Sequence, residues 1–304
     1  MDRKIPVWID TDTGVDDALA LLYAVNLKEL DVAGVSAAAG NQTIDKTFRN
    51  ARNVLSLLGR EDIKVYKGAE KPLAKELHTA AYCHGENGLG EYEIPDSKAP
   101  VEEGDAIEAI YECAKKYAGE LVLVPVGPLT NIALLLQRHP DVRDLVREVA
   151  VMGGSLSGGN ITPYAEFNIF VDPLAAKIVF ESGMRIIMCG LDVTLKAYLL
   201  KEEIEAFGRI GNPVGDLIEG STGIMLELGE RRGKPGMCLH DSTPLFYEAH
   251  PEYFQGKETA ISVVTEGEKE GMTFETEGEK NTLVLLDIER DPFVDALKEY
   301  VRRY

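Results

Sequence analysis

Cysteine and tryptophan are both scarce in this chain of 304 residues. The four cysteines lie far apart, and no two of them form a CxxC pair. Disulfide frameworks and cysteine-based zinc sites need paired or closely spaced cysteines, so neither is expected. We interpret the cysteines as small buried hydrophobic residues in a reducing compartment. The single tryptophan, Trp8, lies inside an apolar run near the N-terminus.

Long apolar runs and an excess of positive charge are also missing. No stretch approaches the ~18 consecutive apolar residues typical of a transmembrane helix, and the first residues lead directly into an apolar strand pattern. We therefore expect no membrane segment, no signal peptide and a cytoplasmic location. The chain carries 51 acidic residues against 32 lysines and arginines, a formal net charge of −19. This balance argues against nucleic acid or an anionic membrane as a partner.

Short apolar runs alternate with amphipathic stretches along the whole chain. Strand-like runs include residues 5–9, 31–39 and 121–126, residues 67–100 predict a long loop, and residues 214–230 predict one helix. Uniformly apolar strands alternating with helices predict an α/β fold, with an open, mostly parallel sheet covered by helices on both faces. Because no linker or repeat interrupts the pattern, the whole chain, 1–304, is predicted to form a single domain.

Four carboxylates stand within eight residues, directly after the first predicted strand. They are Asp10, Asp12, Asp16 and Asp17, and an apolar helix pattern follows them. Helix capping and the helix dipole explain one or two aspartates in such a position, but not four. Crowded like charges repel one another, and a bound cation relieves that repulsion. Clustered carboxylates suit a hard cation such as Ca²⁺ or Mg²⁺.

Other polar clusters also follow predicted strands. They include Gly40-Asn41, the segment 127–131 and the segment 153–168. Ligands of parallel sheets bind beyond the carboxyl ends of the strands, so one shared edge brings these loops into one site. Two further segments are rich in chemically active side chains, 84–90 and His240-Asp241. The alternative for their histidines is a structural role with ordinary hydrogen bonds.

Five of these motifs together resemble the nucleoside hydrolase family. The segment Asp10-Thr-Asp12-Thr-Gly14-Val-Asp16-Asp17 is similar to the family's DxDxGxDD fingerprint. The later motifs follow in the family's order: Gly127-Pro-Leu-Thr-Asn131, Met152-Gly-Gly, Glu166-Phe-Asn168 and His240-Asp241. The resemblance covers nearly the whole chain.

This resemblance implies a Rossmann-like fold and an N-glycosyl hydrolase activity. Members of the family cleave the N-glycosidic bond of ribonucleosides to ribose and a free purine or pyrimidine base, with Ca²⁺ as cofactor. A metal-bound water is then the nucleophile, and the transition state resembles an oxocarbenium ion. The expected partner is a small ribonucleoside and the expected assembly a homo-oligomer, either a dimer or a tetramer. The base preference stays open.

The resemblance also assigns roles residue by residue. The implied metal ligands are Asp12, Asp17, Asp241 and the backbone carbonyl of Val126. Asp12 is also the implied general base, and His240 resembles the proton donor to the leaving base. The implied substrate-binding residues are Asp16, Asn41, His84, Met152, Asn160, Glu166 and Asn168.

The chain departs from the family pattern on the side of the base. Thr13 and Asn87 stand where the family often has Pro and Asp. Some purine-specific relatives stack the base between tryptophans, which Trp8 inside a strand cannot do, so Tyr82, Tyr164 and Phe167 are the candidates. The motifs contain no lysine or arginine, which predicts better hydrolysis of nucleosides than of their 5′-monophosphates.

Two rival functions remain at this point. Val7-Trp-Ile-Asp10-Thr-Asp12-Thr13 also fits the strand end of haloacid-dehalogenase-type phosphohydrolases, with Asp10 as the phosphorylated nucleophile. That function leaves the later motifs unexplained. A non-catalytic nucleoside- or sugar-binding protein is the second rival, and it has no use for a general base or a proton donor.

Overall fold

Strands and helices alternate along the chain, as the apolar pattern predicts. The computed structural model describes residues 4–304. The strands are β1 (Ile5–Thr11), β2 (Leu30–Ala37), β3 (Val65–Lys67), β4 (Leu121–Pro125), β5 (Val146–Met152), β6 (Ile186–Cys189), β7 (Tyr198–Leu199), β8 (Met237–Cys238), β9 (Phe254–Val263), β10 (Thr273–Thr276) and β11 (Thr282–Ile288). The helices are α1 (Val15–Asn26), α2 (Ile44–Leu57), α3 (Ala81–His84), α4 (Ala106–Lys116), α5 (Thr130–Arg138), α6 (Phe167–Val171), α7 (Pro173–Phe180), α8 (Leu191–Thr194), α9 (Lys201–Gly208), α10 (Pro213–Ser221), α11 (Gly223–Arg231), α12 (Ser242–Ala249) and α13 (Arg290–Val301).

Nine of these strands form one sheet in the order β10-β9-β11-β6-β5-β4-β1-β2-β3. The strands from β11 to β3 in this order are parallel to one another, whereas β9 and β10 add to one edge in antiparallel pairing. β7 and β8 form a separate two-stranded antiparallel sheet.

The side chains of the central strands alternate between two apolar cores. Along β1, Val7 and Ile9 pack into one core with helices α1, α2 and α13, while Trp8 packs into the other with α4, α5 and α7. Because successive side chains of a strand point to opposite faces, a fully apolar strand needs cover on both sides. The structure therefore confirms the predicted mostly parallel sheet with helices on both faces.

Two details of the sequence prediction differ from the structure. The single helix predicted over 214–230 is wrong, because α10 ends at Ser221 and α11 begins at Gly223. Glycine, serine and threonine at this junction are weak helix formers, and the Thr222 hydroxyl donates to the Ile218 carbonyl at 2.7 Å. The long segment 67–100 contains the short helix α3, which ends at His84. No helix within residues 4–304 is long and apolar enough to cross a bilayer.

Candidate active site

A cavity of about 300 Å³ lies where the loops after the central parallel strands meet. Val126 directly follows β4, and Met152 ends β5. Both line the cavity, as expected for a ligand site beyond the carboxyl ends of parallel strands. The other predicted site residues in its wall are Asp16, Asn41, His84, Asn160, Glu166, Asn168, His240 and Asp241.

The predicted residues Asp12 and Asp17 are fully buried behind this wall. Asp17 organises the turn from β1 into α1: its Oδ2 accepts from the Gly14 amide at 2.8 Å and from Asn41 Nδ2 at 3.0 Å. Its Oδ1 accepts from the Thr11 hydroxyl at 2.5 Å. The helix-capping role considered for the aspartates therefore holds in part for Asp17.

Asp12 is held between two glycines. Its Oδ2 accepts from the Asn41 amide at 2.6 Å. A Cβ atom at Gly40 would lie 2.2 Å from Oδ2, and one at Gly127 would lie 2.7 Å from Oδ1. Asp12 Oδ1 is buried and has no hydrogen-bond partner among residues 4–304. The glycines thus leave just enough room for a carboxylate with one uncommitted oxygen.

The carboxylates fit a hard divalent cation. Asp16, Asp17 and Asp241 each offer an oxygen within 4.8 Å of the other two. Burial raises the pKa of all three and of Asp12, and neighbouring negative charges raise the pKa of Asp12, Asp16 and Asp241 further. Carboxylates packed this closely need protons or a cation, and oxygen-only donors suit Ca²⁺ or Mg²⁺. Asp17 and Asp241 belong both to this trio and to the predicted set of metal ligands. The third member of the trio is Asp16, whereas the predicted third carboxylate is Asp12, whose Oδ1 has no hydrogen-bond partner in the described residues and can also bind a cation.

The residues predicted to bind ribose are fixed by hydrogen bonds around α6. Glu166 caps this helix: its Oε1 accepts from the Asn168 amide at 2.9 Å and its Oε2 from the Gly154 amide at 3.0 Å. Asn168 Nδ2 donates to the Val126 carbonyl at 2.9 Å. Asn160 Oδ1 accepts from the Phe167 amide at 2.9 Å. These bonds join α6 to the ends of β4 and β5 and fix the positions of these side chains relative to the sheet.

Two histidines face the cavity as neutral groups. Burial lowers the pKa of His84 to about 3. Burial, together with the positive charges of Lys234 and Arg232, lowers the pKa of His240 to about 4. His84 Nδ1 accepts from the Val15 amide at 3.1 Å, so its ring proton resides on Nε2. His240 Nδ1 lies 2.8 Å from the Thr194 hydroxyl, and donation by that hydroxyl leaves the same tautomer.

The sequence motifs missed part of the cavity wall. Arg232 and Lys234 line it from the connection between α11 and β8. The segment Arg231-Arg232-Gly-Lys234, shortly before His240, is the sequence signal that would have found them. Their presence weakens the argument that the site rejects phosphate because it lacks cations.

The other residues of the wall form a mostly apolar part of it, and all of them except Tyr82 and Phe167 were missed by the sequence analysis. They are Ala80, Tyr82, Cys83, Gly159, Phe167, Leu191, Leu195, Met225, Leu228, Gly229, Gly236 and Cys238. Of the three aromatic residues proposed for stacking, Tyr82 and Phe167 are therefore in the wall. Tyr164 has the Lys269 ammonium 5.4 Å from its ring centre.

The position of Asp10 disfavours the phosphohydrolase alternative. Asp10 is fully buried, and its Oδ1 accepts from the Ser36 hydroxyl and from Asn131 Nδ2, the latter at 2.7 Å. A nucleophile that attacks phosphate must face the substrate. Asp10 instead ties β1 to β2 and to the start of α5.

A parallel-sheet cavity with buried carboxylates and neutral histidines defines the class of the protein. The chain belongs to the inosine-uridine preferring nucleoside hydrolase family, whose model matches residues 7–295. It is therefore an N-glycosyl hydrolase that acts on ribonucleosides.

Individual relatives cover almost the whole chain. The pyrimidine-specific ribonucleoside hydrolase RihA of Salmonella schwarzengrund is 41% identical over 308 aligned positions, covering 99% of both chains. The solved structure of the purine-preferring ribonucleoside hydrolase from Gardnerella vaginalis superposes with a TM-score of 0.94 at 32% identity, covering 98% of both chains. A plant nucleoside hydrolase, PpNRh1, superposes with a TM-score of 0.93 at 28% identity, covering 99% of this chain and 100% of its own.

Proposed function

We propose that this protein is a Ca²⁺-dependent, single-domain ribonucleoside hydrolase that prefers pyrimidine ribonucleosides. The observation that carries the proposal is the meeting of a buried carboxylate cluster and two neutral histidines around one cavity. The pyrimidine preference is supported by the name of the RihA relative and by a wall with few aromatic side chains for stacking a purine.

The ribose is held on the side of the cavity formed by α1 and α6. Asp16, Asn41, Asn160, Glu166 and Asn168 bind its hydroxyl groups, and Met152 packs against the sugar ring. Carboxylate and amide oxygens around the sugar also stabilise the positive charge that develops at C1′. Bound by Asp12, Asp17, Asp241 and the Val126 carbonyl, Ca²⁺ would lower the pKa of a water and fix the ribose diol.

Asp12 accepts the proton of the attacking water. Its Oδ1 suits this task, because it is buried without a partner in the described chain. The C1′–N bond breaks, both of its electrons pass to the base, and the water oxygen bonds to C1′. His240 takes up a proton to become the imidazolium, which donates that proton to the departing base and returns to the neutral form, and His84 presents a second N–H on the same side.

The activity is tested by the release of reducing sugar from uridine, cytidine, inosine and adenosine, with and without a chelator. We expect release to be fastest with the pyrimidine nucleosides and to stop with chelator until Ca²⁺ is restored. Unchanged hydrolysis after full removal of divalent metal would contradict the metal requirement, and faster hydrolysis of inosine would contradict the pyrimidine preference.

The role of His240 is tested by comparing two leaving groups. General acid catalysis contributes about 10²–10⁴-fold, so we expect His240→Ala to lose a factor of that order in kcat/KM on uridine. On p-nitrophenyl riboside, whose leaving group departs as a stable anion, activity should be nearly retained. Both substrates contain the same ribose, so damage to the sugar site lowers both rates equally. Equal losses would assign His240 a structural role and make His84 the next candidate.

A further inference from the structure

Two cationic side chains line the cavity close to His240. Arg232 follows the last residue of α11, and Lys234 stands two residues later, before β8. Burial raises the pKa of Tyr82 to about 12 and that of Cys83 to about 11, and the Arg232 charge opposes both shifts. The Arg232 side chain also forms a hydrogen bond with that of Tyr82, which orients it at the wall without neutralising its charge. Arg232 is thus electrostatically coupled to three residues of the wall: Tyr82, Cys83 and His240.

The neighbouring residue Arg231 occupies an ordinary surface position on α11 and serves as a comparison. Arg231 Nη2 bonds to Glu227 Oε2 at 2.9 Å, one helical turn earlier, and takes no part in the cavity wall. In the range 4–304, no carboxylate forms such an ion pair with Arg232 or Lys234. The positive charges at these two positions are therefore available to a ligand in the cavity.

The charges of the cavity match the charge separation of N-glycosidic cleavage. Carboxylates from α1, α6 and the start of α12 supply negative charge around the sugar, which becomes positive in the transition state. The electrons of the broken bond make the departing base negative, and a pyrimidine leaving from N1 carries part of that charge on the adjacent O2. We infer that the Arg232 guanidinium binds this O2 and stabilises the leaving pyrimidine anion, which makes Arg232 a specificity-determining residue of the proposed reaction.

A guanidinium suits this role better than the other donors of the wall. It keeps its charge at every physiological pH and presents several N–H groups in one plane. The histidine donates a proton to the base from its protonated form, whereas Arg232 compensates charge without transferring a proton. Lys234 adds a second positive charge to the electrostatic field in the cavity. The inference rests on the proposed function, since it requires a pyrimidine base next to His240.

The test compares Arg232→Gln, Arg232→Lys and the matched control Arg231→Gln on two substrates of nearly equal shape. Uridine and 5-fluorouridine share the ribose and O2, but 5-fluorouracil is the more acidic leaving group and needs less help. Loss of a preorganised donor costs about 10²–10³-fold. Because the Arg232 side chain is exposed, we expect a smaller loss for Arg232→Gln on uridine, about 10- to 100-fold in kcat/KM.

The expected pattern has three parts. The loss in Arg232→Gln is clearly smaller on 5-fluorouridine than on uridine, Arg232→Lys recovers part of it, and Arg231→Gln matches the wild type on both substrates. Equal losses on both substrates would overturn the inference, as would wild-type rates in Arg232→Gln. A loss confined to uridine 5′-monophosphate would overturn it in favour of phosphate binding. If the wild type itself released ribose from no nucleoside, the proposed function would fail, which is a separate result.

Discussion

Replacement of Gly40 by alanine tests whether the placement of Asp12 controls catalysis. A Cβ atom at this position would lie 2.2 Å from Asp12 Oδ2 and 2.7 Å from Pro128 Cδ. Even a very tight contact of 3.0 Å requires a movement of about 0.8 Å, the difference between 3.0 and 2.2 Å. Because Pro128 also crowds the new methyl group, we expect the Asp12 carboxylate to move.

The expected cost follows from this displacement. A misplacement of about 1 Å at a reacting group costs about 10²-fold in rate. We therefore expect Gly40→Ala to lower kcat/KM on uridine by about 10²-fold. Overpacking of a buried position also costs about 1–3 kcal/mol of stability, so the variant should unfold at lower denaturant concentration but remain folded at 25 °C.

The assay measures kcat/KM on uridine, Ca²⁺ affinity by calorimetry and the near-ultraviolet circular dichroism spectrum. Gly223→Ala is the matched control, because a Cβ atom there meets nothing within 4 Å and the position starts a helix. A folded Gly40→Ala protein with wild-type kcat/KM would refute the reasoning that Asp12 needs this exact space. Loss of activity in the Gly223→Ala control would show that the assay responds to glycine replacement in general.

Three further predictions concern the metal, the histidine tautomer and pH. Asp241→Asn should bind Ca²⁺ far more weakly than the wild type, and unchanged affinity by calorimetry would remove Asp241 from the ligand set. Thr194→Val should lower kcat/KM on uridine about 10-fold, which is part of the about 10²–10⁴-fold that an acid catalyst contributes. It should spare p-nitrophenyl riboside, because only the orientation of His240 changes, and equal losses on both substrates would contradict this. Burial and the Glu148 charge raise the pKa of Glu248 from 4.5 to about 8, so wild-type stability should fall as pH rises through that window. One pKa unit corresponds to about 1.4 kcal/mol, so between pH 5 and 9 the free energy of unfolding of the wild type should fall by an amount on the order of a few kcal/mol. In Glu248→Gln this fall should be absent. Urea unfolding measures the difference, and parallel plots of unfolding free energy against pH for the two proteins would refute the pKa assigned to Glu248.

The sequence by itself determined the fold class and much of the site. Strands that are apolar at every position, such as residues 121–125, require helices on both faces of a sheet, and this pattern can be read from each strand segment alone. The polar residues after these strands had to meet at one edge, because parallel strands end on the same side. Ten of the predicted site residues accordingly line one cavity.

Only the tertiary structure decided which groups hold these residues in place and which side chains face them across the cavity. Gly40 and Gly127 shape the space around Asp12, and neither is near it in sequence. Arg232 reaches the cavity because α11 packs against α3, a contact between segments about 140 residues apart. The amide of Val15 places the proton of His84 on Nε2, and the hydroxyl of Thr194 holds the ring of His240. Local pattern encodes periodicity, caps and turns, whereas steric fit, tautomers and the balance of charge in a cavity depend on atoms that only folding brings together.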